Sequence, residues 1–435
     1  MDRELVLPNI LECSSKKSNI HSSAKEQRWC WKPFIIVFLF FAFSFYGSNT
    51  IYDLFVLLLF TAACAYFLYK KSLLVLYFVM LFYEYVLVIP FFGGSFTRIL
   101  EVFLVLDILI NKKTFSNTGK LIVVLIYGLM LLVSAVSFSA FIGILINVFL
   151  IYFVWLDIKD SQHNRNYALF VLAIASIFAG IYGIINNSGG ASFFGLRHNG
   201  TFKDPNYSAF IYIIGFFSAA CCSKFNKLFK ISLCIASFGF LLSTLSMAGL
   251  LSFFIVFLVF IFSRLKRKAI FICLLLIFFA IVLLNFDLPT YFPGYNVQQR
   301  VLHVLNQFQT GNIDSATSNR SYIASAYWNE FWTNGSVIQQ LFGGRNTMEG
   351  SYRNYMYSIA NNVSHNTYID ILMMSGILGF IFFTFIALAG VIKYLCQGKK
   401  DITITALALF KIALLVDSFT LSMYTLDYHS FFILI

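Results

Sequence analysis

The stretch YALFVLAIASIFAGIYGIIN, residues 167–186, contains no charged side chain. A run of this length and hydropathy can cross the hydrocarbon core of a bilayer as an α-helix. Similar apolar runs recur along almost the whole chain, including residues 51–69, 207–222 and 368–392. Because backbone groups inside a bilayer must satisfy their own hydrogen bonds, these runs predict an all-α polytopic membrane protein.

The composition agrees with this prediction, since the 435 residues are 59% hydrophobic and only 11% charged. The spacing of the apolar runs predicts about 12–14 transmembrane helices. We expect four parts: a cytosolic N-terminal tail (1–32), a transmembrane bundle (33–285) with a short external loop (187–206), a large external loop (286–366), and C-terminal transmembrane helices (367–435).

The positions of the basic residues predict the orientation. With the N-terminus in the cytosol, 23 of the 31 Lys and Arg residues fall in the tail and the inner loops. Such a bias is the positive-inside rule, and it places both 187–206 and 286–366 on the outer face. The net charge of +12 therefore reflects topology, and we expect no nucleic-acid partner.

The short external loop ends in RHNGTFKDPN, residues 197–206. Asp204 is a good N-cap and Pro205 a natural first helical residue, so this part predicts the start of the next span. Arg197 and Lys203 lie just before that helix N-terminus, whose free amides attract anions. They are candidates for a phosphate site, although Arg197 could instead be an arginine that snorkels to the membrane interface.

Within the large loop, Ser318 or Asn319 can cap a helix that has Arg320 in its first turn. The helix dipole disfavours a cation at that end, so Arg320 indicates either a bound anion or a solvated surface arginine. Ala324, Trp328, Phe331 and Trp332 share one face of the same helix, which suits the membrane interface.

The large loop ends at His365, which lies between two possible caps of the next span, Ser364 and Asn366. The positive helix end favours the neutral imidazole, which can accept a proton. The alternative is a histidine that is only polar surface. Arg345 and Arg353, in FGGRNTMEGSYRNYM, are further candidates for anion binding.

Arginines and a neutral histidine on one outer face suit group transfer from a phosphate-linked donor. Arginine binds phosphate bidentately and can stabilise a leaving diphosphate, while histidine can activate an attacking hydroxyl. The outer segments contain no D-x-D pair and no histidine–carboxylate cluster, so we expect no metal and no cofactor.

Three motifs in order resemble the O-antigen polymerase (Wzy) and O-antigen ligase superfamily of bacterial membrane glycosyltransferases. They are R-x-x-G…D-P-N before a span, an arginine opening a helix in one large external loop, and H-N entering a late span followed by G-x-x-G. The resemblance covers about 167–392. The segment LSMAGLL departs from it, because Met247 stands where many relatives have an arginine.

The resemblance implies a glycosyltransferase-C-like fold in the bacterial inner membrane, with a periplasmic site that works in lipopolysaccharide or other surface-polysaccharide biosynthesis. It implies metal-independent, inverting transfer from an undecaprenyl-diphosphate-linked oligosaccharide. Arg197 and Arg320 would hold the diphosphate, and His365 would activate or position the acceptor hydroxyl. A chain-length regulator and a flippase are expected partners.

Polymerase and ligase share these motifs. The high usage of Phe, Ile, Asn, Lys and Tyr resembles that of chains encoded in surface-polysaccharide gene clusters, which favours a polymerase. A transporter remains an alternative, because Glu84, Glu101 and Asp107 lie in apolar segments and acids there often mark ion pathways. The other alternative is a structural membrane scaffold with a solvated loop.

Overall fold

The computed structural model describes residues 31–45, 50–69, 73–83, 86, 88–89, 94–111, 118–133, 142, 145–146, 148–150, 152–154, 161–186, 191–192, 195–202, 204–265, 297–317, 319–343, 365–397 and 401–421. The helices among them are α1 (Trp31–Phe43), α2 (Thr50–Tyr69), α3 (Leu73–Tyr83), α4 (Phe96–Ile110), α5 (Thr118–Val133), α6 (Gln162–Ile185), α7 (Pro205–Cys221), α8 (Lys227–Ser243), α9 (Met247–Leu265), α10 (Val297–Gln309), α11 (Ile313–Ala316), α12 (Arg320–Thr333), α13 (Val337–Phe342), α14 (Thr367–Gln397) and α15 (Ile402–Asp417). The all-α prediction is confirmed, with two minimal antiparallel hairpins beside the helices: β1 (Val88–Ile89) with β2 (Gly94–Ser95), and β3 (Ala191–Ser192) with β4 (Gly195–Leu196).

Helix α7 lies at the centre of the bundle. It packs against α6, α8, α9 and α15, and the six consecutive residues 209–214 are all buried. A helix that is apolar and buried on every side belongs to the interior of a bundle. The central position of α7 matters for the site because this helix begins directly after the loop that carries Arg197.

The outer helices are apolar on both faces. Along α2, Val56, Phe60 and Cys64 are buried, whereas Leu54 and Leu58 on the other side are exposed. A continuous exposed apolar stripe of this kind is stable in contact with lipid rather than water. Within the described residues, four helical stretches are long and apolar enough to span a membrane, namely Ile51–Tyr69, Gln162–Ile185, Met247–Arg264 and Thr367–Gln397.

The described part of the large loop is folded into helices α10 to α13. Helix α12 docks on α14 through Ile323, Tyr327 and Phe331, which pack against Leu372 and Met373. The predicted aromatic face is therefore divided. Phe331 is fully buried in this contact, while the rings of Trp328 and Trp332 lie 5.6 Å apart and remain about half exposed, at 50% and 43%.

Helix α15 connects two ends of the bundle. At its start, Asp401 caps the helix and forms an ion pair with Arg165 of α6, with Nη2 and Oδ2 2.8 Å apart. At its end, the turn 418–421 contacts the segment that precedes α14. The loops that the charge bias assigns to opposite sides of the membrane thus lie at opposite ends of this helix.

Two glycines, Gly343 after α13 and Gly376 within α14, allow the backbones of these helices to come into close contact. Gly376 has φ 64° and ψ −170°, and Gly343 has φ 79° and ψ −173°, a backbone region that essentially only glycine adopts. A Cβ atom on Gly376 would lie 2.4 Å from the carbonyl oxygen of Leu341. Gly376 is the first glycine of the G-x-x-G motif, and its conformation interrupts helix α14.

We expect Gly376→Ala to lower the free energy of unfolding by about 1–3 kcal/mol, because alanine disfavours this backbone conformation and its methyl group meets backbone atoms. Thermal unfolding of the purified protein in detergent would measure the change. Gly239→Ala is the matched control, since Gly239 lies in α8 with no atom within 4 Å of the added Cβ. Equal midpoints for the two variants would contradict the expectation.

Candidate active site

The structure brings Arg197, Arg320 and His365 together, although they come from three separate parts of the chain. Burial lowers the pKa of Arg197 and of His365 most, and the positive charge of Arg320 lowers both further. Asp204 raises the pKa of all three groups. Arg320 and Asn366, the residue after His365, also donate hydrogen bonds to neighbouring carbonyls, those of Thr420 and Phe419. Because the strength of a charge interaction falls with distance, these mutual effects group the three residues and Asp204 in one cluster, where segments of the two loops predicted to be external meet.

Arg197 follows strand β4 and is held against the turn between α8 and α9. Its Nε donates a hydrogen bond to the carbonyl of Thr244, at 3.0 Å, and the next residue, His198, donates its backbone N–H to Ser243. A guanidinium has five N–H donors, and this bond uses one of them. The bond therefore orients Arg197 and leaves capacity for an anion.

The D-P-N segment caps α7 as predicted. Asp204 Oδ1 accepts hydrogen bonds from the backbone N–H and the side-chain amide of Asn206, both at 2.7 Å, and Pro205 is the first helical residue. Asn206 Oδ1 in turn accepts from the Ser246 hydroxyl at 2.7 Å. This network fixes Asp204, and it gives the cap a second role as the carboxylate among the site cations.

Arg320 is the first residue of α12, so the predicted first-turn position is confirmed. Asn319 occupies the cap position with φ 64°, but its side chain makes no capping bond. Arg320 Nη1 donates to the carbonyl of Thr420, at 2.7 Å. Burial lowers the pKa of Arg320, the acidic groups Asp204 and Tyr207 raise it, and Arg300 lowers it.

His365 lies at the entrance to α14, with φ 54°. The predicted cap Asn366 is present: its Oδ1 accepts from the backbone N–H groups of Tyr368 and Ile369, at 3.0 and 3.2 Å. Burial and the charge of Arg320 lower the pKa of His365, while Asp204 raises it. The net lowering favours the neutral imidazole, which is the form that a general base requires.

Arg300 is a site residue that the sequence reasoning missed. It lies on α10, and its charge lowers the pKa of Arg197 and of Arg320. Burial lowers the pKa of Arg300 itself. The charge bias of the sequence assigns Arg300 to the predicted outer face, but neither a helix start nor a motif distinguished it from the other cations assigned there.

Three predicted residues, Lys203, Arg345 and Arg353, lie outside the described residues. Among the residues that are described, no group of three or more His, Cys, Asp and Glu side chains could hold a metal ion. The arrangement provides three guanidiniums, one carboxylate and one neutral imidazole. Such a set can bind a multiply charged anion and accept one proton beside it.

Residues 232–384 match a family model, Wzy_C, described as O-Antigen ligase. The predicted resemblance to the O-antigen ligase and polymerase superfamily is confirmed. The O-antigen ligase match spans Arg300, Arg320 and His365, whereas Arg197 and Asp204 precede it. No curated protein and no solved structure matches the chain.

The charges around His365 give a test that requires no substrate. Asp204→Asn should lower the pKa of His365 further, because it removes the charge that raises this pKa, while Asn retains the helix cap. Arg320→Met should have the opposite effect. The rate of acylation of His365 by diethyl pyrocarbonate against pH, followed by mass spectrometry, reports the neutral fraction.

For the unsubstituted protein the midpoint of that profile should lie below the ordinary value of 6.5. The midpoint should move to lower pH in Asp204→Asn and to higher pH in Arg320→Met. Coincident profiles for all three proteins would show that these groups do not share a site.

Proposed function

We propose that this protein is a surface-polysaccharide polymerase that joins polyprenyl-diphosphate-linked oligosaccharide repeat units on the outer face of the inner membrane. The observation that carries the proposal is the convergence of Arg197, Arg320 and His365, which come from three separate segments of the chain. The family match supports an O-antigen ligase or polymerase type of function in general.

The charges of the site suit a diphosphate diester. Arg197, Arg300 and Arg320 together with Asp204 leave a net charge of about two positive units, which matches the roughly two negative charges of a diphosphate bound to a sugar and a lipid. When the sugar–oxygen bond breaks, further negative charge develops on the leaving diphosphate. Guanidiniums that are already oriented by Thr244 and Thr420 stabilise that charge without rearranging.

His365 acts as the base in the proposed step. The acceptor hydroxyl oxygen attacks the anomeric carbon of the donor sugar, and its proton passes to the neutral imidazole. A glycosidic bond forms, the bond between the anomeric carbon and the diphosphate oxygen breaks, and the lipid diphosphate leaves with the bonding electron pair. Attack opposite the leaving group inverts the anomeric centre, and such proton transfer typically contributes ~10²–10⁴-fold to the rate.

The proposed mechanism is metal-independent, with the guanidiniums in the charge-stabilising role that a metal ion has in other transferases. The exposed apolar faces of the outer helices suit the polyprenyl tail, which can remain in the bilayer while the diphosphate reaches the arginines. A chain-length regulator and a flippase are the proposed protein partners of this polymerase, with the lipid bilayer and the undecaprenyl-diphosphate-linked oligosaccharide as its other contacts.

A ligase that transfers the glycan to lipid A–core is the second candidate. The description of the matched family favours it, whereas the residue usage of the chain favours the polymerase. The two reactions share the donor, the leaving group and the base. They differ only in the acceptor that presents the hydroxyl.

The transporter alternative depends on acids in apolar segments. Asp107, near the end of α4, has its carboxylate bonded to the side-chain amide of Asn111, one turn away. Glu101 is buried in the same helix, and Glu84 lies outside the described residues. The bond to Asn111 gives Asp107 a local structural role, so the site at the external loops remains the better-supported centre of function.

Purified protein in lipid discs with a polyprenyl-diphosphate-linked repeat unit as the sole substrate should produce a ladder of polymers on a gel. Arg197→Ala, Arg320→Ala and His365→Ala should each reduce the rate by about 10²-fold or more, because each removes charge stabilisation or proton transfer. Glu84→Gln is the matched control and should retain the ladder.

Transfer that appears only when lipid A–core is added would identify a ligase. A transporter would tolerate Arg320→Ala and His365→Ala and lose function in Glu84→Gln. Activity of all three site variants at the unsubstituted rate would contradict both transferase functions.

A further inference from the structure

The turn 418–421, which follows α15, joins two segments of the candidate site. Four successive carbonyls of this turn accept hydrogen bonds from residues at the entrance to α14 or from α12. The pairs, in order, are Ser418 with the Thr367 backbone N–H (2.8 Å), Phe419 with Asn366 Nδ2 (3.2 Å), Thr420 with Arg320 Nη1 (2.7 Å) and Leu421 with Thr367 Oγ1 (2.5 Å).

Thr367 contributes two of these four bonds, one from the backbone and one from the hydroxyl. Thr367 is 0% exposed and Leu421, whose carbonyl accepts the hydroxyl bond, is 2% exposed, so both partners of this bond are shielded from water. A buried acceptor that loses its donor carries the full desolvation penalty. The hydroxyl of Thr367 therefore holds the entrance to α14 firmly against the turn.

The neighbouring residue reinforces the same contact. The Tyr368 hydroxyl donates to the carbonyl of Leu415, at 2.6 Å, and its ring lies 4.5 Å from the ring of Phe419. His365 is two residues before Thr367, and Arg320 is bound to the same turn through Thr420. The positions of both His365 and Arg320 therefore depend on the backbone of the turn 418–421.

We propose that Thr367 is a positioning residue, which acts through the turn 418–421 to fix the separation between His365 and Arg320. The inference rests on the proposed function, in which Arg320 holds the diphosphate while His365 reaches the acceptor hydroxyl. A misplacement of about 1 Å between reacting groups can cost as much as 10²-fold in rate.

The bonds that the turn 418–421 makes to Arg320 and to Thr367 can be altered separately by substitution. We expect Thr367→Val to retain the bond from Arg320 to Thr420, which does not involve Thr367, and therefore to leave the proposed diphosphate site in place. The entrance to α14, which carries His365, loses its hydroxyl bond to Leu421. The base is displaced and the anion site is not, which predicts an effect on kcat rather than on KM.

The first experiment compares Thr367→Val and Thr367→Ser with Thr384→Val in the polymer assay. Thr384 is the matched control, because it lies on the same helix and its hydroxyl donates only within α14, to Phe380, at 2.8 Å. Thr367→Val should lower kcat about tenfold with KM for the lipid-linked donor changed less than twofold. Thr367→Ser keeps the hydroxyl and should restore kcat, and Thr384→Val should match the unsubstituted protein.

The second experiment measures hydrogen–deuterium exchange of residues 365–369, which needs no substrate. Thr367→Val should accelerate exchange in this segment about tenfold, whereas Thr367→Ser and Thr384→Val should not. If the unsubstituted protein forms no product, the proposed function is wrong, and the exchange rates still decide the structural role of Thr367. Exchange at the unsubstituted rate in Thr367→Val, or equal loss in Thr367→Ser, would overturn the inference.

Discussion

The hydrogen bond between the Arg320 guanidinium and the Thr420 carbonyl, 2.7 Å long, joins the helices of the large loop to the membrane bundle. It attaches the first residue of α12 to the turn that ends α15, and the same turn receives the entrance to α14. The buried contact between Phe331 and α14 fixes the other side of α12. Polar and apolar contacts thus determine together where the large loop places its arginines.

Burial explains why these cations are suited to bind an anion. Arg197, Arg300 and Arg320 are partly buried, and burial lowers the pKa of each because the charged form loses hydration. Within the site Asp204 counteracts this effect for Arg197 and Arg320. A bound anion would supply more of the same negative charge, so it would further stabilise the charged form of these arginines. His365 shares this environment, and its neutral form follows from the same burial and the same cation.

The backbone at the junction of loop and bundle is specified by glycine. Gly343 and Gly376 occupy a region that side chains disfavour, and each lies against the backbone of the segment that carries the other. This contact divides α14 into a short segment that follows His365 and a longer segment that continues through the apolar bundle. Both glycines fall inside the matched region 232–384.

The sequence by itself determined the fold class, the bounds of some apolar helices and two helix caps, because each depends on residues that are neighbours along the chain. The predicted run 51–69 begins one residue after α2 and ends with it, and the predicted run 207–222 differs from α7 by two residues at the start and one at the end. Asp204 and Asn366 cap their helices as expected, since a cap involves only the next three residues. Only the tertiary structure decided four other features. They are the presence of Arg300 in the site, the second role of Asp204, the break at Gly376 and the division of the aromatic face on α12. Each depends on groups that are distant in sequence, and hydropathy does not record which faces of two helices meet.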